Sequence, residues 1–172
     1  MNRQLTITSI MEHARKFHGD AEVVSVTADQ PLHRYTYREA FARSARLANA
    51  LARLGIRPGE RIGTLAWNDY RHLEVYFATS CAGFVCHTIN PRLVPDQVAW
   101  IANHAEDQVL CFDMTFLPII KAVWSKCATV RHWIALCEAD ALPADTGIAG
   151  LQSYEAWIGG ESAEYAWPQF DE

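Results

Sequence analysis

Between residues 36 and 137, short apolar runs alternate with amphipathic stretches at a nearly constant spacing. That alternation narrows the fold more than any single motif does. "TYREAFARSARLANALARLG" places Phe41, Ala45, Ala48, Leu51 and Ala52 on one helical face and Arg38, Arg46 and Arg53 on another. Thr36 and Glu39 have the spacing of a capping box, in which a hydroxyl serves an orphan N–H and a carboxylate reaches back to the cap. "IRPGERIGTLAW" then predicts a Pro-Gly turn into a strand. Asn68 is expected to cap a helix through "DYRHLEVYFATSCA", which Gly83 closes. "FVCHTI" reads as a short strand, continuous enough in apolar residues to be expected buried on both faces. "PDQVAWIANHA" is a helix with Pro95 at its first position and a stripe of Val94, Val98, Ile101, Ala102 and Ala105. The strand "QVLCFD", a helix around "FLPIIKAVWSK" that Pro118 interrupts early, and the strand "RHWIALC" complete the series. Strands separated by helices of this length imply α/β architecture, with a mainly parallel sheet of βαβ units and flanking helices. Right-handed crossovers then leave few topologies.

Ahead of this series, "TITSIMEHARKFHGD" predicts a short helix with Ile7, Ile10, Met11, Ala14 and Phe17 on one face and Gly19 as its stop. "EVVSVTADQPLHRYTY" carries β-rich runs on both sides of an Asp-Gln-Pro turn, which predicts an N-terminal β-hairpin. From Glu138 onward the pattern loosens. "EADALPADTGIAG" is loop-like, "LQSYEAWIGG" suits one short helix, and "ESAEYAWPQFDE" is acidic and aromatic. The expected organisation is an α/β unit over 1–137 followed by a loop, short helix and acidic linker over 138–172.

Composition excludes several function classes. Half of the 172 residues are hydrophobic and a fifth are charged, enough for a real core and too few charges for a disordered chain. No run approaches the roughly 20 apolar residues of a membrane helix. The start "MNRQLTITSIMEHARK" lacks the order of a secretory signal, which points to the cytoplasm. The five cysteines are odd in number and have no CxxC pair, so they are expected to be small buried hydrophobes. Basic residues concentrate early, in the run Arg34, Arg38, Arg43, Arg46, Arg53, Arg57 and Arg61. With a pI of about 5.8 this is not a nucleic-acid footprint. A solvated helix face is the simpler reading, and an anion-binding or interdomain surface is the sharper one.

Such a sheet invites a search for phosphate cradles, and the chain contains none. GxGxxG after the first strand and GxxxxGK followed by Ser or Thr are both absent, as are GxSxG and HExxH. The seven histidines form no tight cluster; His72, His104 and His132 sit within helix or strand patterns. The remaining candidates lie in "HTINPRLVPDQVAWIANHAEDQVLCFD". There His87 and Arg92 flank a turn at the carboxyl end of a parallel strand, the place where α/β sheets bind ligands. The stretch reads first as the joint of a βαβ unit, with a weak substrate-facing role, and no catalytic one, as the alternative for His87 and Arg92.

The ordered set of pieces resembles the N-terminal region of the adenylate-forming enzymes, in particular fatty-acyl-CoA ligases. It comprises Thr-Tyr-x-Glu opening an Ala-rich helix, Leu-x-x-Leu-Gly-Ile, Pro-Gly-Glu-Arg-Ile, an Asn-capped helix, Gly83 between helix and strand, Ile-Asn-Pro-Arg-Leu and "VLCFD". The resemblance covers residues 5–137 and implies part of the large N-terminal domain of the acyl-CoA ligase fold. It further implies a two-step reaction. ATP and a carboxylic acid give an acyl-adenylate and pyrophosphate, then CoA gives the thioester and AMP, with magnesium assisting. The family's Thr-Ser-Gly-Thr-Thr-Gly-x-Pro-Lys loop, its adenine-side aromatic motif, its ribose-binding aspartate and its C-terminal lysine match nothing here. No catalytic, cofactor-binding or metal residue is therefore carried over, and ATP, Mg and CoA are expected to bind outside these residues. The expected role is an N-terminal scaffold fragment, inactive alone, with room for homodimer contacts. The alternative is a freestanding α/β binding module that uses the arginine-rich helix face.

Overall fold

A computed structural model describes residues 4–171; residues 1–3 of the stretch 1–137, and Glu172, lie outside the described residues. The first helix, α1 (Ile7–Phe17), starts at Thr6, whose side chain accepts from the Ser9 N–H. His18 rather than Gly19 is its C-cap. Gly19 does not take the left-handed conformation; it is needed because a Cβ there would lie 2.6 Å from the Arg15 carbonyl oxygen. Strands β1 (Glu22–Ser25) and β2 (His33–Thr36) form the antiparallel hairpin. The capping box at the start of α2 (Tyr37–Arg53) is present in both directions. Thr36 N donates to Glu39 at 2.7 Å and Glu39 N donates to Thr36 Oγ1 at 3.3 Å.

The main sheet has five strands, all paired in parallel, in the order β4-β3-β5-β6-β7. They are β3 (Arg61–Leu65), β4 (Val85–Thr88), β5 (Asp107–Phe112), β6 (His132–Ala135) and β7 (Gln152–Ser153). Helices α3 (Tyr70–Ala82), α4 (Pro95–Ala105), α5 (Leu117–Val123) and α6 (Tyr154–Gly159) join or follow them. Alternation along β5 shows how the sheet serves two cores. Val109 and Cys111 face α2, α3 and α6, with Leu47, Leu51, Val75, Tyr154 and Trp157. Leu110 and Phe112 face α4 and α5, with Val98, Ala102, Ile120 and Val123. Residues 152–159, beyond the point where the sequence pattern loosens, thus add a strand and a helix to the same sheet and core.

Two further local expectations are corrected. The N-cap of α3 is Asp69, not Asn68, because the Asp69 carboxylate accepts the His72 N–H at 3.0 Å while Asn68 stays exposed. Strand β4 is not buried on both faces: it forms the sheet edge, and Val85 is 46% exposed. An unbroken apolar run does not reveal whether a strand has one neighbour or two. Gly83 does close α3, in the left-handed conformation at φ 84°, and a Cβ there would also meet Phe170 at 2.5 Å.

A buried ionic network joins distant segments around α3. Arg71, with a fully buried side chain, donates to Glu155 at 2.8 Å and to Asp29 and Glu138 at 2.9 Å each. Arg43 donates to Glu74 and Glu155, both at 2.8 Å, and the Tyr154 hydroxyl donates to Glu74 at 2.7 Å. Burial pushes the Glu74 carboxyl up to about 7 against the pull of Arg43 and Tyr154. Burial acts upward on Glu155 and Asp29 as well. The hydrogen bonds and charges of Arg43 and Arg71 on Glu155, and of Thr27 and Arg71 on Asp29, outweigh it and hold both below their ordinary values. The raised Glu74 carboxyl contributes stability fully below the ordinary carboxylate range and loses that contribution as pH rises through about 7. The stability advantage of the native chain over Glu74→Gln is therefore expected to be largest near pH 5 and to shrink by pH 8. Paired thermal melts across that range measure it, and the histidine contributions cancel in the difference. An advantage that stays constant with pH contradicts the buried, proton-holding state of Glu74.

Candidate functional site

Where β3 and β4 end, the chain opens a crevice of about 370 Å³, within the size range of small-molecule sites. Ala66, Trp67 and Asn68 leave β3 on one side; Thr88 to Arg92 leave β4 on the other; His72 and Tyr76 of α3 form the floor. Trp67 is held by an Nε1–H bond to Thr115 Oγ1 at 2.9 Å and by a tilted contact with Phe116. Thr115 in turn donates from both N and Oγ1 to Asp113 Oδ1 at 2.8 Å. His72 is locked in one tautomer. Its Nδ1 lies 3.1 Å from the Trp67 carbonyl oxygen, which only accepts, so Nε2 accepts from Thr64 Oγ1 at 3.0 Å. Burial lowers the His72 pKa, and with both nitrogens occupied the ring is a fixed wall, not a proton shuttle.

Of the two residues singled out in the sequence, the structure brings Arg92 to the crevice. Its backbone N–H donates to Asn90 Oδ1 at 3.0 Å in a tight Asx turn. Its exposed guanidinium makes no ion pair within the described residues. His87 does not line the crevice. Its Nδ1 lies 2.9 and 3.0 Å from the two carboxylate oxygens of Asp107, across the face of β3. Gly63 makes that crossing possible, since a Cβ there would stand 2.6 Å from Asp107 Oδ2. Asp107 is fully buried, and burial raises its carboxyl to about 6 despite His87.

The starts of α3 and of the 3₁₀ turn ahead of α5 do not fit the phosphates of a nucleoside triphosphate. A phosphate sits at a helix start where N–H groups are free. At the start of α3 the Asp69 carboxylate already accepts the His72 N–H and places negative charge there. Asp113 guards the short 3₁₀ turn ahead of α5 in the same way, through Thr115 N. The glycines of close approach, Gly19, Gly63 and Gly83, are filled by Arg15, Asp107 and Phe170. Among the described residues no three His, Cys, Asp or Glu side chains stand together to hold a metal ion. The thiols are inert: burial pushes Cys81, Cys86, Cys127 and Cys137 up to about 11 and Cys111 higher still. The arginine run is largely neutralised by acids: Arg34 by Glu22, Arg38 by Asp20, Arg53 by Glu161, Arg57 by Glu60 and Arg61 by Glu106. The ionic network of Arg71 and Glu74 escaped sequence reasoning, because nothing in a helix pattern marks which charge is buried.

A parallel sheet flanked by helices, with a crevice at its strand ends, defines an α/β domain of the kind that binds ligands at those ends. The AMP-binding enzyme family matches residues 10–161, and the chain belongs to that family. The 3-methylmercaptopropionyl-CoA ligase of Ruegeria lacuscaerulensis is 46% identical over 174 residues, covering 100% of this chain and 32% of the relative. The medium-chain-fatty-acid–CoA ligase of Ectopseudomonas oleovorans is 44% identical over 172 residues, covering 100% and 31%. In fold, the chain is similar to the anthranilate CoA ligase AuaEII solved with anthranoyl-AMP. That match has a TM-score of 0.81 and 21% identity, and covers 98% of this chain and 30% of that one. The chain thus spans about a third of the length of the curated relatives it matches. These matches leave the freestanding-module reading without support.

Proposed function

We propose that these residues form the N-terminal scaffold of an ATP-dependent acid–thiol ligase. Such an enzyme joins a carboxylic acid to ATP with release of pyrophosphate, then transfers the acyl group from the adenylate to the CoA thiol with release of AMP. The observation that carries this reading is similarity along the whole chain, at 46% and 44% identity, to two proteins named as CoA ligases. ATP, magnesium and CoA belong to it as groups bound outside these residues, since the chain carries no glycine-rich phosphate loop and Asp69 and Asp113 occupy the starts of α3 and of the 3₁₀ turn ahead of α5. This segment supplies the rigid sheet and one wall of a crevice. Arg92 on its rim attracts an anionic part of a substrate, whether carboxylate or phosphate; His87 is the weaker of the two substrate-facing residues because Asp107 holds its Nδ1. A cytoplasmic location and homodimer contacts belong to the same reading. No helix of the described residues is long and apolar enough to cross a membrane.

Acid-dependent ATP–pyrophosphate exchange and thioester formation test the proposal, with a panel of 3-methylmercaptopropionate, medium-chain and long-chain acids. The 172-residue chain alone is expected to give no exchange with any acid, and a parent polypeptide of the relatives' length to give both reactions. Robust exchange by the short chain overturns the scaffold reading. A parent that forms no thioester from any acid class overturns the ligase reading.

A further inference from the structure

The crevice between the ends of β3 and β4 is lined unevenly. Two of its aliphatic members, Ala66 and Ile89, are buried and offer a ligand little. The large apolar surface left open belongs to two aromatic side chains, Trp67 at 45% exposure and Tyr76 at 39%. Single exposed aromatics are ordinary on a protein surface. These two share one crevice, and each is fixed by its own chain of contacts. The Trp67 indole N–H donates to Thr115 Oγ1 at 2.9 Å, and Thr115 Oγ1 donates in turn to Asp113 Oδ1 at 2.8 Å. Tyr76 stacks on His72, with centroids 4.7 Å apart and planes 27° apart, and His72 is held through both ring nitrogens. Rings fixed before a ligand arrives lose little freedom when it stacks on them.

The polar part of the lining carries one sign of charge. Asn68, Thr88 and Asn90 are exposed there, and so is Arg92, which makes no ion pair within the described residues. No Asp or Glu lines the crevice. Asp69 and Asp113, on the segments that follow β3 and β5, are buried and accept from the His72 N–H and from Thr115.

We propose that this crevice binds a flat aromatic ring that carries an anionic group, as in an aryl carboxylate or a nucleoside monophosphate. The ring stacks on Trp67 or Tyr76, Asn68 and Thr88 meet polar atoms on its edge, and Arg92 holds the anion. A flexible aliphatic chain finds no enclosing aliphatic wall here. A nucleotide in this place is a ligand beyond the ATP of the ligase reaction. The proposal rests on the reading of Arg92 as the residue that attracts an anion, and adds the class of molecule to which the anion belongs. Binding by the 172-residue chain and thioester formation by its parent can fail separately, so the two readings are distinguishable.

The test is NMR of the 172-residue chain, following the Trp67 indole N–H and the Arg92 backbone N–H during addition of benzoate, AMP, adenosine or hexanoate at constant ionic strength. Benzoate or AMP is expected to shift both signals saturably. Hexanoate, which lacks the ring, and adenosine, which lacks the anion, are expected to bind about tenfold more weakly than the better of those two. Arg92→Gln, a change at an exposed side chain, is expected to weaken that ligand about tenfold, read at Trp67. Trp67→Leu is expected to weaken it by a similar factor, read at Arg92, and Lys121→Gln, exposed on α5, to leave it unchanged. Tighter benzoate identifies an aryl carboxylate, and tighter AMP identifies a nucleotide. No saturable shift with either, hexanoate or adenosine binding as tightly as the better of them, or undiminished binding in Arg92→Gln overturns the proposal.

Discussion

Arg71→Ala is expected to remove about 3–5 kcal/mol of folding stability, the loss seen when one partner of a buried ion pair is deleted. The side chain is fully buried and joins three acids from three separate segments: Asp29 after β1, Glu138 after β6 and Glu155 in α6. Removing it leaves Glu155 with Arg43 and the Tyr70 hydroxyl, and leaves the Leu136 carbonyl without the Arg71 donor. Small domains have total stabilities of about 5–15 kcal/mol, so much of the margin disappears. Arg38→Ala provides the contrast. Its pair with Asp20 joins side chains that are 60% and 93% exposed, and exposed pairs contribute about 0–1 kcal/mol. Urea denaturation of both variants measures the difference. Equal midpoints for the two would show that the Arg71 network contributes no more than a surface pair.

Trp157→Ala is the second large expected effect, again about 3–5 kcal/mol, from lost burial plus the cavity left behind. Trp157 is 4% exposed in the core cluster that also holds Leu47, Leu51, Tyr154 and Ile158. The short helix α6 brings it there, and that helix is anchored by the Ser153 side chain accepting the Ala156 N–H and by Glu155 in the ionic network. Its expected loss, read from the same urea titrations, matters beyond one residue. It measures how far the segment after 137 is part of the fold's core. A loss under about 1 kcal/mol, the scale of a surface substitution, would mark that segment as a loosely attached linker.

Much of this architecture was legible because its signals are local. Helical periodicity and the Thr36–Glu39 capping box act within four residues, so α2 could be read directly, and Pro95 and Gly83 likewise marked one helix start and one helix end. The same kind of reasoning missed where signals compete. Asn68 and Asp69 are adjacent and both are good caps. Only the path of the chain out of β3 determines that Asp69 turns inward. "FVCHTI" resembles an interior strand by composition, but β5 takes the other side of β3 and leaves β4 at the edge. For the crevice, Arg92 was visible as a cation in a turn at a strand end. The fixed tautomer of His72 was not, since it depends on Thr64 and Trp67 approaching the same ring.

The sequence by itself determined the order and type of the elements through β6, the parallel α/β class and, through its ordered motifs, the resemblance to acyl-CoA ligases; β7 was not legible in it. The element order and class follow from spacing along the chain. Tertiary structure alone decided which charges are buried, which arginines are neutralised and where cavities open. It set Arg43 against Glu155, 112 residues away, and held His87 on Asp107 across Gly63. The reason is physical. Periodicity records contacts within a few residues, whereas the partner of a buried charge depends on how the whole sheet is ordered.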